Sequence, residues 1–154
     1  MIIEYNLEMD ENRLPQLVKE KSFNYECGML DHADAVADML NDCFHLRSQC
    51  EERVYMVCCN TRLAQPIAVF EVAHGTVEFC CVSTREIMQR ALMTGATGFF
   101  LIHNHPSQAV EPSEQDKQFA KSVLEGSVLM NVKLLDFLIV GDTYYSFLEN
   151  GLLT

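Results

Sequence analysis

The chain has 154 residues, 49% of them apolar, and its 11 Lys and Arg against 22 Asp and Glu give a formal charge of -11 at pH 7. That length supports one domain with a substantial core, and an acidic body with no evident basic patch disfavours partners that are phosphate backbones. The cysteines at Cys27, Cys43, Cys50, Cys58, Cys59, Cys80 and Cys81 are odd in number and lack a Cys-x-x-Cys, which argues against a disulfide framework or a zinc ribbon.

Met1-Ile2-Ile3 runs at once into Glu4, so no leader is read at the start. No apolar run approaches the roughly 18 residues of a membrane-spanning helix. The expected setting is therefore a reducing cytoplasm. Ile2 to Leu7 reads as a strand, and Leu14 to Lys21 as a helical turn or two. From Asp31, a plausible N-cap, the apolar residues Ala35, Val36, Met39, Leu40, Cys43 and Phe44 recur at helical spacing to about Ser48. His32 and His45 in this region read as solvated or packed side chains.

Val54-Tyr55-Met56-Val57-Cys58-Cys59 is apolar at every position, as expected for a central strand covered on both faces. Cys58, Cys59, Cys80 and Cys81 read as small buried hydrophobes. Gln65 to Ala73 forms the next strand, and the turn at His74-Gly75-Thr76 leads into another over Val77 to Val82. Ser83-Thr84-Arg85-Glu86 is a capping box opening a helix through Met93 that stops at Gly95. A strand starts near Thr97. A helix from about Pro112 to Gly126, a strand over Val132 to Val140 and a short strand over Tyr144 to Phe147 complete the chain. Without a regular βαβ alternation, these elements predict an α+β fold on a mixed sheet.

The chemistry concentrates between Phe99 and Asp116. Phe99 to Ile102 form a buried strand end followed by His103-Asn104-His105-Pro106. Residues i and i+2 of a strand point the same way, so both imidazoles converge on one point. Asp116 lies eleven residues past His105 and shares a helix face with Ser113. Two imidazoles, a carboxylate and a hydroxyl make a candidate zinc site in which three protein ligands leave a fourth position open, the pattern of a catalytic zinc. The same Ser113-x-x-Asp116 spacing also fits a helix capping box that binds no metal.

His103-Asn104-His105-Pro106, Pro112-Ser113 and Asp116 together resemble the signature of the JAMM (JAB1/MPN+) metalloprotease-like domains, and most nearly their bacterial RadC-like branch. The likeness runs from about Val54 to the C-terminus. It includes Arg85-Glu86-Ile87 with Arg90-Ala91-Leu92, and Leu134-Leu135-Asp136 with Gly141-Asp142. Gln108 stands where the RadC-like pattern usually has Gly. The helix-hairpin-helix portion of longer RadC proteins is not among these residues. The resemblance implies a curved mixed sheet flanked by helices, similar to the deaminase-like architecture. It further implies one domain over residues 1–154, with 1–50 as an N-terminal extension carrying the amphipathic helix and about 54–154 as the motif-bearing core.

The resemblance also implies roles. His103, His105 and Asp116 would hold Zn²⁺, Ser113 would donate to the oxyanion, and a glutamate on an upstream strand would act as general base. Glu71 is the expected base, because a charge embedded in Ile67 to Ala73 calls for a partner, and the Gly75-Thr76 turn registers it onto the family position. Glu78 is the second choice, and Glu86 is explained as the capping partner of Ser83. The expected activity is zinc-dependent cleavage of peptide or isopeptide bonds in a protein substrate. A non-catalytic interaction module and a DNA-repair role are the alternatives. The His-x-Glu and Pro-Cys-x-x-Cys of zinc deaminases are absent.

Overall fold

The computed structural model describes residues 1–75 and 82–154. The expected strand over Val77 to Val82, and with it Glu78, Cys80 and Cys81, lies outside the described residues except for Val82. The strands are β1 (Ile2–Met9), β2 (Pro15–Phe23), β3 (Glu52–Asn60), β4 (Gln65–Gly75), β5 (Gly98–Asn104), β6 (Lys133–Val140) and β7 (Tyr144–Ser146). The helices are α1 (Ala33–Phe44), α2 (Thr84–Thr94) and α3 (Glu114–Met130).

All seven strands form one sheet in the order β2-β1-β4-β3-β5-β6-β7. It is mixed: β1 with β4 and β5 with β6 run parallel, and the other neighbouring pairs run antiparallel. The segment read as an extension is thus part of the sheet, because β1 joins it at Glu4 opposite Val69.

The continuous apolar run of β3 follows from helices on both faces. Tyr55, Val57 and Cys59 face one way, packing with Phe100 and Ile102 of β5 under Val36, Met39 and Leu40 of α1. Met56 and Cys58 face the other way, with Phe99 and Leu101 under Ile87 and Ala91 of α2 and Val123 of α3. Each layer buries its own apolar stripe, so one strand contributes to two cores.

Several boundaries differ from expectation. Leu14 to Lys21 is not helical: Pro15–Phe23 is the edge strand β2, paired with β1 along its length. Both faces of β2 are largely solvated, which removes the alternation that marks a strand, and Pro15 and the Lys19-Glu20-Lys21 run suit an unpaired edge. In α1 the N-cap is His32 rather than Asp31, and the helix closes at Phe44 because His45 turns left-handed at φ 54. Leu46–Ser48 then form a separate 3-10 turn.

Helix α3 runs past Gly126 to Met130, closed by Asn131 in the left-handed region. Gly126 is a contact rather than a stop. A β-carbon there would collide with the Thr84 methyl at the start of α2, so the absent side chain lets the two helices approach.

Candidate metal centre

Both histidines project from the C-terminal end of β5, on the face that carries α2 and α3. Leu101 belongs to that layer and Ile102 to the other, so His103 follows Leu101. The rings sit 4.9 Å apart, edge to face. His103 is 7% exposed and lies between two carboxylates, with Nε2 3.2 Å from Glu52 Oε2 and Nδ1 3.3 Å from Asp116 Oδ1. His105 Nδ1 is 2.6 Å from the Ala109 carbonyl oxygen. A carbonyl only accepts, so Nδ1 carries a proton, and in the neutral ring Nε2 keeps its lone pair. That Nε2 faces Asp116 Oδ2 at 3.7 Å.

The loop that orients His105 is pinned by backbone. His105 N–H donates to the Val140 carbonyl and Gln108 N–H to the His105 carbonyl. Gln108, where the RadC-like pattern has Gly, adopts φ 68. The turn survives a residue with a β-carbon at the cost of a left-handed conformation. It packs onto Gly141, where a β-carbon would lie 2.9 Å from the Gln108 carbonyl oxygen.

Asp116 and Ser113 satisfy both readings of their spacing. Ser113 caps α3: its Oγ accepts from Asp116 N–H at 3.1 Å, while its own N–H and hydroxyl donate to Asp116 Oδ2 at 2.8 and 2.7 Å. The remaining oxygen, Oδ1, is the one beside His103. Burial pushes the Asp116 carboxyl up, but hydrogen bonds from His103 and Ser113 outweigh it and hold the pKa at about 2. The capping box therefore builds the cluster. Ser113 spends its proton on Asp116, so the structure gives it the task of holding that carboxylate.

Glu71, the expected base, is not in this group. Its Oε2 takes a 2.8 Å hydrogen bond from Arg53 and a 3.1 Å bond from the Tyr55 hydroxyl, and His74 Nδ1 lies 3.5 Å from its other oxygen. Tyr55 belongs to the α1 layer, so Glu71 points to the face opposite the histidines. The buried charge does have its partner, and that partner is an arginine. Tyr55 pairs with Glu71 in the regular β3–β4 ladder, and the register shift between Val54 and Tyr55 falls just past that pair, on the Arg53 side. No parity count along β4 alone discloses such a shift.

Glu52 stands where Glu71 was expected. Val54 pairs with His103 in the antiparallel β3–β5 ladder, which carries Glu52, two residues earlier, onto the histidine face. Ligand atoms of Glu52, His103 and His105 all lie within 4.8 Å of one another, and Asp116 borders both rings. The sequence signal for Glu52 is slight, since Glu51-Glu52 before an apolar strand reads as a solvated turn. Only the adjacency of β3 and β5 turns it into a site residue.

Electrostatics favours a cation here. Glu52 and Asp116 are 7% and 8% exposed, and among the described residues their ion-pair partners are the two imidazoles alone. A neutral imidazole has one N–H and cannot donate to both carboxylates beside His103. Two buried anionic charges without Lys or Arg are costly, and a divalent ion would neutralise them. Imidazole nitrogens with carboxylate oxygens, one ring already locked in the ligating tautomer, fit zinc or a similar divalent transition metal.

Compared with known proteins, residues 30–152 match the family model described as RadC-like JAB domain. The chain is similar to a UPF0758 protein of Saccharophagus degradans, 34% identical over 146 residues, covering 94% of this chain and 61% of that protein. A UPF0758 protein of Stenotrophomonas maltophilia is 33% identical over 141 residues, 88% of this chain and 60% of its own. One from Thioalkalivibrio sulfidiphilus is 39% identical over 87 residues, 56% of this chain and 39% of its own. The chain thus matches less than two thirds of the length of each of these relatives.

Proposed function

The chain belongs to the RadC-like JAB domain family, and from that premise we propose that it is a zinc-dependent hydrolase of amide bonds, acting on peptide or isopeptide linkages of a protein substrate. The observation that carries this reading is the buried pair of carboxylates, Glu52 and Asp116, whose ion-pair partners among the described residues are two imidazoles and no fixed cation. His103, His105 and Asp116 would hold the ion, with Glu52 beside it. Zinc bound there would lower the pKa of a coordinated water toward about 7 and polarise the scissile carbonyl.

The chain's own residues supply the rest. Glu52 accepts the proton of the attacking water on its carboxylate and passes it to the departing amine. The Ala109 carbonyl holds the His105 tautomer, and Ser113 holds Asp116 in its ionised form. Burial of Glu52, His103 and Asp116 limits the bulk water that reaches the cluster. Ser113 would serve as an oxyanion donor if its hydroxyl turned from Asp116.

The test is to load the protein with zinc, measure its metal content, and screen peptide and isopeptide libraries for cleavage. About one zinc per chain and cleavage that a chelator abolishes are expected. Metal content near zero after reconstitution would rule the reading out, and full zinc without cleavage would favour the interaction-module alternative.

A further inference from the structure

Asn104 separates the two histidines, and alternation along β5 turns its side chain away from theirs. It is 2% exposed and both ends of its amide are used. Oδ1 accepts from the Arg53 backbone N–H at 2.7 Å, and Nδ2 donates to the Glu51 carbonyl at 3.0 Å. Those two groups belong to the peptide units on either side of Glu52. One buried side chain on the histidine strand therefore clasps the backbone that carries the glutamate.

We propose that Asn104 is a positioning residue that sets the Glu52 carboxylate against the histidine pair. The β3–β5 pairing ends at Val54 opposite His103, so although β4 still pairs with Glu52 at Gly75, the glutamate lies beyond the ladder on the side of the histidine strand. Asn104 extends the connection by two hydrogen bonds in place of ladder bonds. On the other face, the Arg53 guanidinium is anchored to Glu71 at 2.8 Å, fixing the neighbouring side chain. Glu52 is thus held from three sides by groups that do not touch its carboxylate, and the 3.2 Å contact to His103 follows. An apolar residue at position 104 would leave the Arg53 N–H and Glu51 carbonyl without these partners.

The inference rests on the hydrolase reading for its effect on rate, but its geometry can be read separately. Asn104→Ala is expected to lower turnover by about 10–100-fold, as loss of a supporting group around a metal site does, with zinc content and KM unchanged. In a Glu52→Gln background it should cost nothing further, because its action runs through Glu52. An equal loss in both backgrounds, or loss of zinc, would overturn the proposal. Asn104→Asp keeps the volume and the acceptor and lacks the donor, so it serves where the alanine variant does not fold. Crystal structures of chelator-treated wild type and Asn104→Asp decide the geometry whether or not a substrate exists. Glu52 is expected to leave its contact with His103. A carboxylate that stays in place refutes the clasp, whereas a wild type that takes up no zinc refutes the hydrolase reading alone.

Discussion

Two glutamates near one end of the sheet, on opposite faces, make an instructive pair. Glu71 is three-quarters buried and bonded to a guanidinium and a phenol, so its charge is met by a cation that never titrates. Glu52 is more deeply buried and faces imidazoles, which are neutral or charged and can share a metal. A carboxylate with a permanent counter-charge is in a settled environment; one whose neighbours are imidazoles has room for a bound cation. Burial alone does not separate them, and the identity of the partner does.

The largest effect should come from His103→Ala, which removes the group between both carboxylates. Loss of zinc uptake should exceed the roughly 10–100-fold that loss of a supporting residue costs, as read by competition with a chromophoric chelator. Next is the direct contrast of the glutamates. Glu52→Gln should keep the fold and lower hydrolysis by about 10²–10⁴-fold, the usual worth of a general base, while Glu71→Gln should leave turnover within a few-fold. The opposite outcome would return the base to β4 and break the comparison.

Acid should act on the metal-free protein through Asp116. Its carboxyl titrates at about 2 in the fold against an ordinary 3.8, so the native state binds protons less readily than the unfolded chain. The stabilisation, about 2 kcal/mol, is present above roughly pH 4 and is lost as pH falls toward 2. Denaturant titrations at pH 6 and pH 3 should show about half of that loss, and Asp116→Asn should flatten it.

Smaller changes test the settled side. Glu71→Gln leaves Arg53 without its carboxylate, and the partial exposure of both side chains, 22% and 24%, places the cost at about 1–2 kcal/mol, between surface and buried pairs. Ser113→Ala removes the cap of α3 and should cost about 1 kcal/mol in the melting transition, together with a rise of the Asp116 pKa from its present value.

The histidine strand, both capping boxes and the two-faced strand β3 were legible because each is written in contiguous residues: an apolar run, a Ser with its acid three places on. Glu52 was not, because its role depends on which strands are neighbours and on the Val54–His103 register. Glu71 misled for a physical reason. An acid in an apolar run does require a partner, but Arg53 lies across a bulge that no local pattern announces. Edge strand β2 was hidden by its own solvation.

The double use of Asp116 has a mechanical consequence. One oxygen fastens the first turn of α3 and the other borders His103, so whatever occupies the cluster pulls on the beginning of a 17-residue helix. Ligand occupancy would then be readable as slowed hydrogen exchange of amides in that first turn, and a chelator should loosen the start of α3 before it disturbs the sheet. The helix becomes a built-in gauge of whether the centre is loaded.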